Sequence, residues 1–335
     1  MNKIIIIVSA VILFFSCKEN SNRDPVIITP INSINVFGDS TYFSSIFSIE
    51  TGANSYYFSD YTNSRIVKTN KNLNYLLSLG SHGEGPNEFN GTAEFLLIDS
   101  NLYAFDAGNL RMNIYKNDKW IRAIKVPTYG PFMERFYVNE HDSLIAYARL
   151  GGSTNIIKMD LNGQLIEIDR MQYNSYWNKQ RKVKSAAHII ETSNNRILLI
   201  PLDEPTIFVY NTNWVLVNKI MLDDIFILND PISNLQSVYH TLAHNTTSII
   251  FYDAYMDEGD NLYLLTYCIN SKKEKEFNIL MKFSTSSDSI TYDHSYKLTS
   301  ENNGDWYNAI AVSNDTLVAF EYSTSEIQLF SLIEE

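Results

Sequence analysis

Ile46-Phe47-Ser48-Ile49, Thr51-Gly52-Ala53-Asn54, Tyr56-Tyr57-Phe58: an apolar strand, a turn and a second apolar strand follow one another in thirteen residues. A polar loop from Asp60 to Ser64 leads into Arg65-Ile66-Val67-Lys68, and a turn at Asn70 to Asn72 leads into Tyr75-Leu76-Leu77-Ser78-Leu79. Short runs rich in Ile, Val, Tyr and Phe, bounded by Gly, Asn and Asp, are strands joined by tight turns. The stretch is therefore a unit of four strands, numbered one to four outward.

The same order recurs along the chain. The second copy has Phe95 to Ile98, Leu102 to Phe105, Met112 to Tyr115 and Trp120 to Val126. The third has Phe136 to Val138, Leu144 to Tyr147, Ile156 to Met159 and, after the turn Asn162-Gly163, Leu165 to Ile168. A fourth runs through His188 to Ile190, Ile197 to Ile200, Ile207 to Tyr210 and Trp214 to Ile220; a fifth through Ile249 to Phe251, Leu262 to Leu265, Ile279 to Phe283 and Ile290 to Tyr292. The sixth shows three strands, Ile310 to Val312, Leu317 to Phe320 and Ile327 to Phe330. Units of about 40 to 65 residues with four strands each are the signature of propeller blades. Their first strands read as continuously apolar, as expected of strands covered on both faces. The fold class is thus all-β, a six-bladed propeller of four-stranded antiparallel blades. The sixth blade lacks an outer strand, and residues 26–37, with Val26-Ile27-Ile28 and Ile34-Asn35-Val36-Phe37, are expected to supply it beside Ile327 to Phe330 and close the ring.

Two loops carry a resemblance. Asp60-Tyr-Thr-Asn63-Ser-Arg65-Ile66 and Asp106-Ala-Gly-Asn109-Leu-Arg111-Met112 lie about 46 residues apart, and both resemble the NHL signature Asp-x-x-Asn-x-Arg-Ile. Between them, Gly80-Ser-His-Gly83-Glu-Gly85-Pro86-Asn87-Glu88-Phe89 is similar to the Gly-x-Gly-Pro-Gly-Glu-Phe linker of bacterial six-bladed propeller lipoproteins, with Asn87 in place of a glycine whose left-handed turn Asn tolerates. The resemblance implies a scaffold and an envelope location. The residues themselves point to structure: Asp60, Asn63, Arg65, Asp106, Asn109 and Arg111 suit tight loops in which a carboxylate takes backbone amides and an arginine ties neighbouring blades.

The long blade-to-blade connections share a face with the loops between strands two and three, and a ligand-binding face is expected there. It gathers His82, Glu84 and Glu88; Tyr173, Tyr176, Trp177, Arg181 and Lys182; Tyr239 and His240; and Trp306 and Tyr307. Aromatic rings beside basic groups suit a small molecule, a glycan or a peptide, since rings stack on flat faces and arginine pairs with carboxylates. His240 and His244 stand four apart but lack the glutamate of a zinc-protease motif. No Gly-x-Ser-x-Gly elbow and no assignable Ser-His-Asp set occur, so no catalytic residue, metal or cofactor is assigned.

The ends and the composition place the protein. Asn2-Lys3 precedes an apolar run from Ile4 to Phe15, too short to span a bilayer, which ends in Phe14-Phe15-Ser16-Cys17. This resembles a lipobox: residues 1–16 are expected to be a signal peptide, Cys17 the lipidated residue, 17–25 a tether and 26–335 the propeller. A membrane-anchored envelope lipoprotein of the outer membrane, held to the bilayer through lipid alone and otherwise monomeric, is the resulting expectation. Cys268 has no partner once Cys17 is lipidated and is expected to be a buried small hydrophobe. A formal charge of −12 argues against nucleic acid. The functional expectation is a non-catalytic scaffold that binds a ligand or an envelope protein. The alternative is a propeller hydrolase, lactonase or lyase with a metal on the central axis, for which the first strands offer few inward polar residues, His188 and Glu94 being the nearest.

Overall fold

The computed structural model describes residues 24–38, 40, 42–43, 45–126, 135–139, 144–149, 155–170, 187–229, 231–233, 249–269, 275–286, 289–299 and 306–333. The expected signal peptide, Cys17, and the tether up to residue 23 lie outside them, and nothing is described of the Cys268 side chain. Among the described residues no helix is long and apolar enough to cross a membrane.

The strands form six sheets. Two short strands come first, β1 (Val26–Ile28) and β2 (Asn32–Ile34). Blade 1 is β3–β6 (Ile46–Gly52, Ser55–Asp60, Arg65–Asn70, Tyr75–Leu79) and blade 2 is β7–β10 (Thr92–Ile98, Asn101–Asp106, Arg111–Lys116, Lys119–Lys125). Blade 3 is β11–β14 (Tyr137–Asn139, Leu144–Arg149, Asn155–Asp160, Leu165–Arg170) and blade 4 is β15–β18 (Ala187–Glu191, Arg196–Pro201, Thr206–Asn211, Leu216–Met221). Blade 5 is β19–β22 (Asp253–Met256, Asn261–Ile269, Lys275–Thr285, Ile290–Leu298) and blade 6 holds β23–β25 (Tyr307–Ser313, Thr316–Glu321, Glu326–Ser331). Pairing within each meander is antiparallel.

The N-terminal segment closes the ring in two pieces. β2 pairs antiparallel with β25, Ile34 opposite Ile327 and Asn32 opposite Leu329, and so is the missing outer strand of blade 6. β1 instead runs parallel to β22, Val26 opposite Tyr296 and Ile28 opposite Leu298, and gives blade 5 a fifth strand. The segment was expected to serve one blade; it straps two. Pro30 and Ile31 fall between the pieces, where the residue before proline is held extended and the chain can cross from one sheet edge to the next.

Local chemistry sets the turns. Asn70, Asp160 and Asn211 each close a third strand, and each side-chain oxygen accepts the amides two and four residues on. The residue three on adopts positive φ: Leu73 at 63°, Gly163 at 82° and Trp214 at 60°. Only glycine fits at 163, because a Cβ there would strike the Lys125 carbonyl of the previous blade. Asn87 stands at φ 58°, the left-handed conformation that its place in the linker requires.

The core lies between blades. Phe43, Ile46 and Phe58 of the first blade region pack with Ile310, Phe320 and Ile327 of the last, and Phe105 and Met112 pack with Phe136 and Tyr147 of the next pair. Every residue of β4 is buried, whereas β18 is almost wholly exposed. Each fully buried Phe or Ile contributes about 1.5–3 kcal/mol.

Blade 5 departs from the sequence reading. Ile249-Ile250-Phe251 is not its first strand; the amides of Ile250 and Phe251 donate to the Leu202 carbonyl, docking the segment on blade 4. The first strand is Asp253–Met256, and this moves an aspartate onto the axis.

Candidate functional site

The innermost strands are not continuously apolar, because one side of each faces the central axis. Glu50 on β3, Glu94 on β7, His188 on β15 and Asp253 on β19 are all buried there, together with Arg135, which stands two residues ahead of β11. The sequence offered His188 and Glu94 as the nearest inward polar groups; the structure adds Glu50, Asp253 and the cation between them.

Arg135 organises the group. Its Nε and Nη2 donate to the two oxygens of Asp253, each at 3.1 Å. Nη1 donates to Glu50 Oε1 at 2.5 Å and to the Ile49 carbonyl at 3.3 Å, and Nη2 also donates to the Ile310 carbonyl at 2.9 Å. A guanidinium has five N–H donors, and these five contacts use them all. The Arg135 amide donates to His188 Nδ1 at 3.1 Å, which fixes that nitrogen as an acceptor and leaves the proton on Nε2. Glu94 lies 3.8 Å from Nη1 and accepts from the Ser48 hydroxyl at 2.8 Å, while its Oε2 has no hydrogen-bond partner among the described residues. The Arg135 guanidinium also lies 5.2 Å from the centre of the Tyr255 ring.

Electrostatics divide the three carboxyl groups. Asp253 takes two guanidinium bonds and the amides of Ala254 and Ile310, so it carries the charge that balances Arg135 although burial raises its pKa. Burial pushes Glu50 up to about 7 against the pull of Arg135, with Asp253 adding to the rise. Burial also pushes Glu94 well above the carboxylate range, against the pull of Arg135. His188 is driven down to about 3 by burial and by Arg135 and is neutral at any physiological pH.

Beside this group lies a cavity of about 760 Å³ that opens among the turns joining first to second strands. Glu50 and Arg135 form its inner end, Leu97, Val138, Ile189 and Tyr255 its apolar walls, and Asp99, Glu191 and Glu258 line it nearer the turns. Its mouth is on the face opposite the one where the sequence reading placed ligand binding.

On that other face, Tyr173, Tyr176, Trp177, Arg181, Lys182, Tyr239 and His240 lie outside the described residues. His82 is exposed, its Nδ1 3.3 Å from the Ser64 hydroxyl. Glu88 is turned inward on its own loop and accepts the Gly85 amide at 2.6 Å, and Glu84 is exposed. Trp306 is 40% exposed and stacks on Phe277 with centroids 5.3 Å apart. Tyr307 does not belong to the face: it is fully buried between blades and its hydroxyl donates to Gln328 at 2.8 Å.

The repeated loop motif is a clamp. Asp60, fully buried, accepts from Asn63 at 2.8 Å and from Arg65 Nε at 2.9 Å. Asp106 does the same with Asn109 and Arg111 at 2.8 and 2.9 Å. Arg111 then donates to the carbonyls of Glu84, Gly85 and Glu88, binding the blade 1–2 linker to blade 2.

No protein-family model matches the chain, and no curated protein is detectably similar in sequence. Solved structures are. A protein of Bacteroides fragilis NCTC 9343 described as exported superposes with a TM-score of 0.56 at 14% identity, over 86% of this chain and 82% of that one. The β-propeller domain of Cps50 from Myceliophteria thermophila superposes at 0.54 and 10% identity, over 91% and 100%. Virginiamycin B lyase of Staphylococcus aureus, in an inactive form with quinupristin, superposes at 0.51 and 10% identity, over 89% and 87%. Chains so distant in sequence share architecture alone, and on that ground this is a six-bladed β-propeller similar in architecture to other propeller proteins.

Proposed function

We propose that the protein is a non-catalytic binding propeller of the bacterial envelope, held to the membrane by lipid on Cys17, whose ligand site is the cavity at the turn end of the axis. One observation carries the binding part: an arginine with every donor committed blocks the axis and leaves beneath it a 760 Å³ recess with apolar walls. A recess of that volume with a few convergent polar groups is what small-molecule sites look like. The envelope part is supported by the Ile4 to Phe15 run ending at Ser16-Cys17, by the NHL-like loops and by the likeness to a protein described as exported.

A thermal-shift screen of envelope metabolites, sugars, amines and short peptides tests the first part. Ligands that raise Tm of the wild type and fail to do so for Met256→Trp, which fills the cavity from its wall, are the expected outcome. Ligands that stabilise both proteins equally contradict it. Labelling cells with a palmitate analogue tests the second part: the wild type takes up label and Cys17→Ala does not.

A second reading, a hydrolase, lactonase or lyase, draws on Glu50, a cavity-lining carboxyl titrating near 7 and so placed for general acid–base work. In its metal-dependent form the axial carboxylates would have to leave Arg135, for among the described residues no three His, Cys, Asp or Glu side chains are grouped to hold a metal. Turnover of a lactone or cyclic peptide that disappears in Glu50→Gln would favour this reading over the first.

A further inference from the structure

We propose, resting on the cavity reading above, that the turn-end cavity takes a small organic cation with an apolar body, its ammonium or guanidinium group seated against Glu50. Three features of the recess select that class over an anion or a neutral molecule.

The first is the state of Arg135. Among the described residues it is the one basic side chain lining the cavity, and its five donors already serve Asp253, Glu50 and the carbonyls of Ile49 and Ile310. A carboxylate or phosphate entering the cavity would find no guanidinium N–H of Arg135 left to accept. The second is Glu50 itself. It is 6% exposed and lines the cavity; Oε1 is taken by Arg135, and Oε2 has no hydrogen-bond partner among the described residues. A buried carboxylate oxygen at the end of a recess is the place for a donor that brings its own charge.

The third is the sign of the surroundings. Asp99, Glu191, Asp257, Glu258 and Asp260 join Glu50 along the lining; Asp257 accepts from Gly259 and Asn261, Asp260 from Ser193, and Glu258 from Ser313. Carboxylates in a concave, low-dielectric recess focus a negative potential and concentrate cations. The apolar walls, Leu97, Val138, Ile189 and Tyr255, add burial of a hydrocarbon or aromatic body at about 25 cal/mol per Å².

The titratable and charged groups facing Glu50 are Arg135 ahead of β11, Asp253 and Tyr255 on β19, Glu94 on β7, His188 on β15 through the Arg135 amide, and Glu258, Glu191 and Asp99 along the lining; β23 contributes the Ile310 carbonyl. Glu50 titrates near 7 in this setting, so a bound cation displaces its proton and binding weakens as pH falls through neutrality.

The test uses the full chain and three probes of one shape: 2-phenylethylamine, 2-phenylethanol and 3-phenylpropionate, followed by ligand-observed NMR and calorimetry. The expected result is saturable binding of the amine at pH 8, roughly tenfold weaker at pH 6 where Glu50 is protonated. Glu50→Gln, which keeps an acceptor for Arg135, should remove both the binding and its pH dependence while the melting curve shows a folded protein. Met256→Trp should block the amine with Glu50 intact. Preference for the alcohol or the anion, still blocked by Met256→Trp, overturns the cation class and leaves the cavity reading in place. Amine binding indifferent to Met256→Trp overturns both, and absence of amine binding at pH 8 overturns the inference.

Discussion

Among the described residues, two arginine–carboxylate systems built on opposite plans stand out. The peripheral one, Arg65 with Asp60 and Arg111 with Asp106, joins residues five apart across a single loop, with the arginine side chains 11% and 17% exposed. The axial one joins Arg135 to partners 85, 118 and 175 residues away, and the guanidinium is buried with its carboxylates. The first recurs in blades 1 and 2 because a single loop makes it alone. The second needs several blades already assembled around the axis. Local ion pairs shape loops; the axial group reports that the ring has closed.

The contrast predicts unequal costs. Arg135→Met leaves three buried carboxyl groups without their cation and should lower the folding free energy by about 3–5 kcal/mol in urea unfolding. A loss below about 1 kcal/mol would put the axial group on a level with the peripheral clamps. Glu50 supplies the next effect, through pH. Its pKa is near 4.5 unfolded and about 7 folded, so between those values the folded chain holds a proton that the unfolded chain lacks. The stabilisation is therefore full below the unfolded value and is lost as pH rises through 7. Relative to Glu50→Gln, the wild type should lose about 2–3 kcal/mol between pH 5 and pH 8; the His188 contribution, of opposite sign below 6.5, cancels in that difference. A pH-independent difference would show that Glu50 does not titrate as its surroundings require. Arg111→Ala should cost less, about 1–2 kcal/mol, and the damage should be local. The expected sign is faster proteolysis within the linker from Gly80 to Phe89, whose carbonyls the side chain holds, with the other blades unaffected.

The same contrast explains what could be read from the chain. Blade order, the place of most strands and the use of Ile34 beside Ile327 follow from short-range patterns of apolar runs and turn residues, and these survive in the structure. The Asp-x-x-Asn-x-Arg loops are legible because their partners are neighbours in sequence. Arg135 was not, since nothing beside it in the chain is its partner; its one local mark is a charge immediately before an apolar strand. Asp253 was hidden by a better-looking run: Ile249-Ile250-Phe251 fits a strand template, but the fold uses it to dock on Leu202. Glu50 and Glu94 break apolar strands that a blade buried on both faces would keep pure, and the reason is that an innermost strand also borders the axis. The parallel pairing of Val26–Ile28 with β22 had no sequence signal, because a three-residue strand carries too few side chains to specify a partner.

The central claim is that Arg135 and the carboxylates around it act as one unit closing the axis. A double-mutant cycle on Arg135→Met and Asp253→Asn, read by urea unfolding at pH 7, tests it most directly. The bidentate contact, with both groups buried, predicts a coupling energy of about 2 kcal/mol or more, with the double variant more stable than the sum of the single losses implies. Single losses that add to within about 0.5 kcal/mol would contradict it.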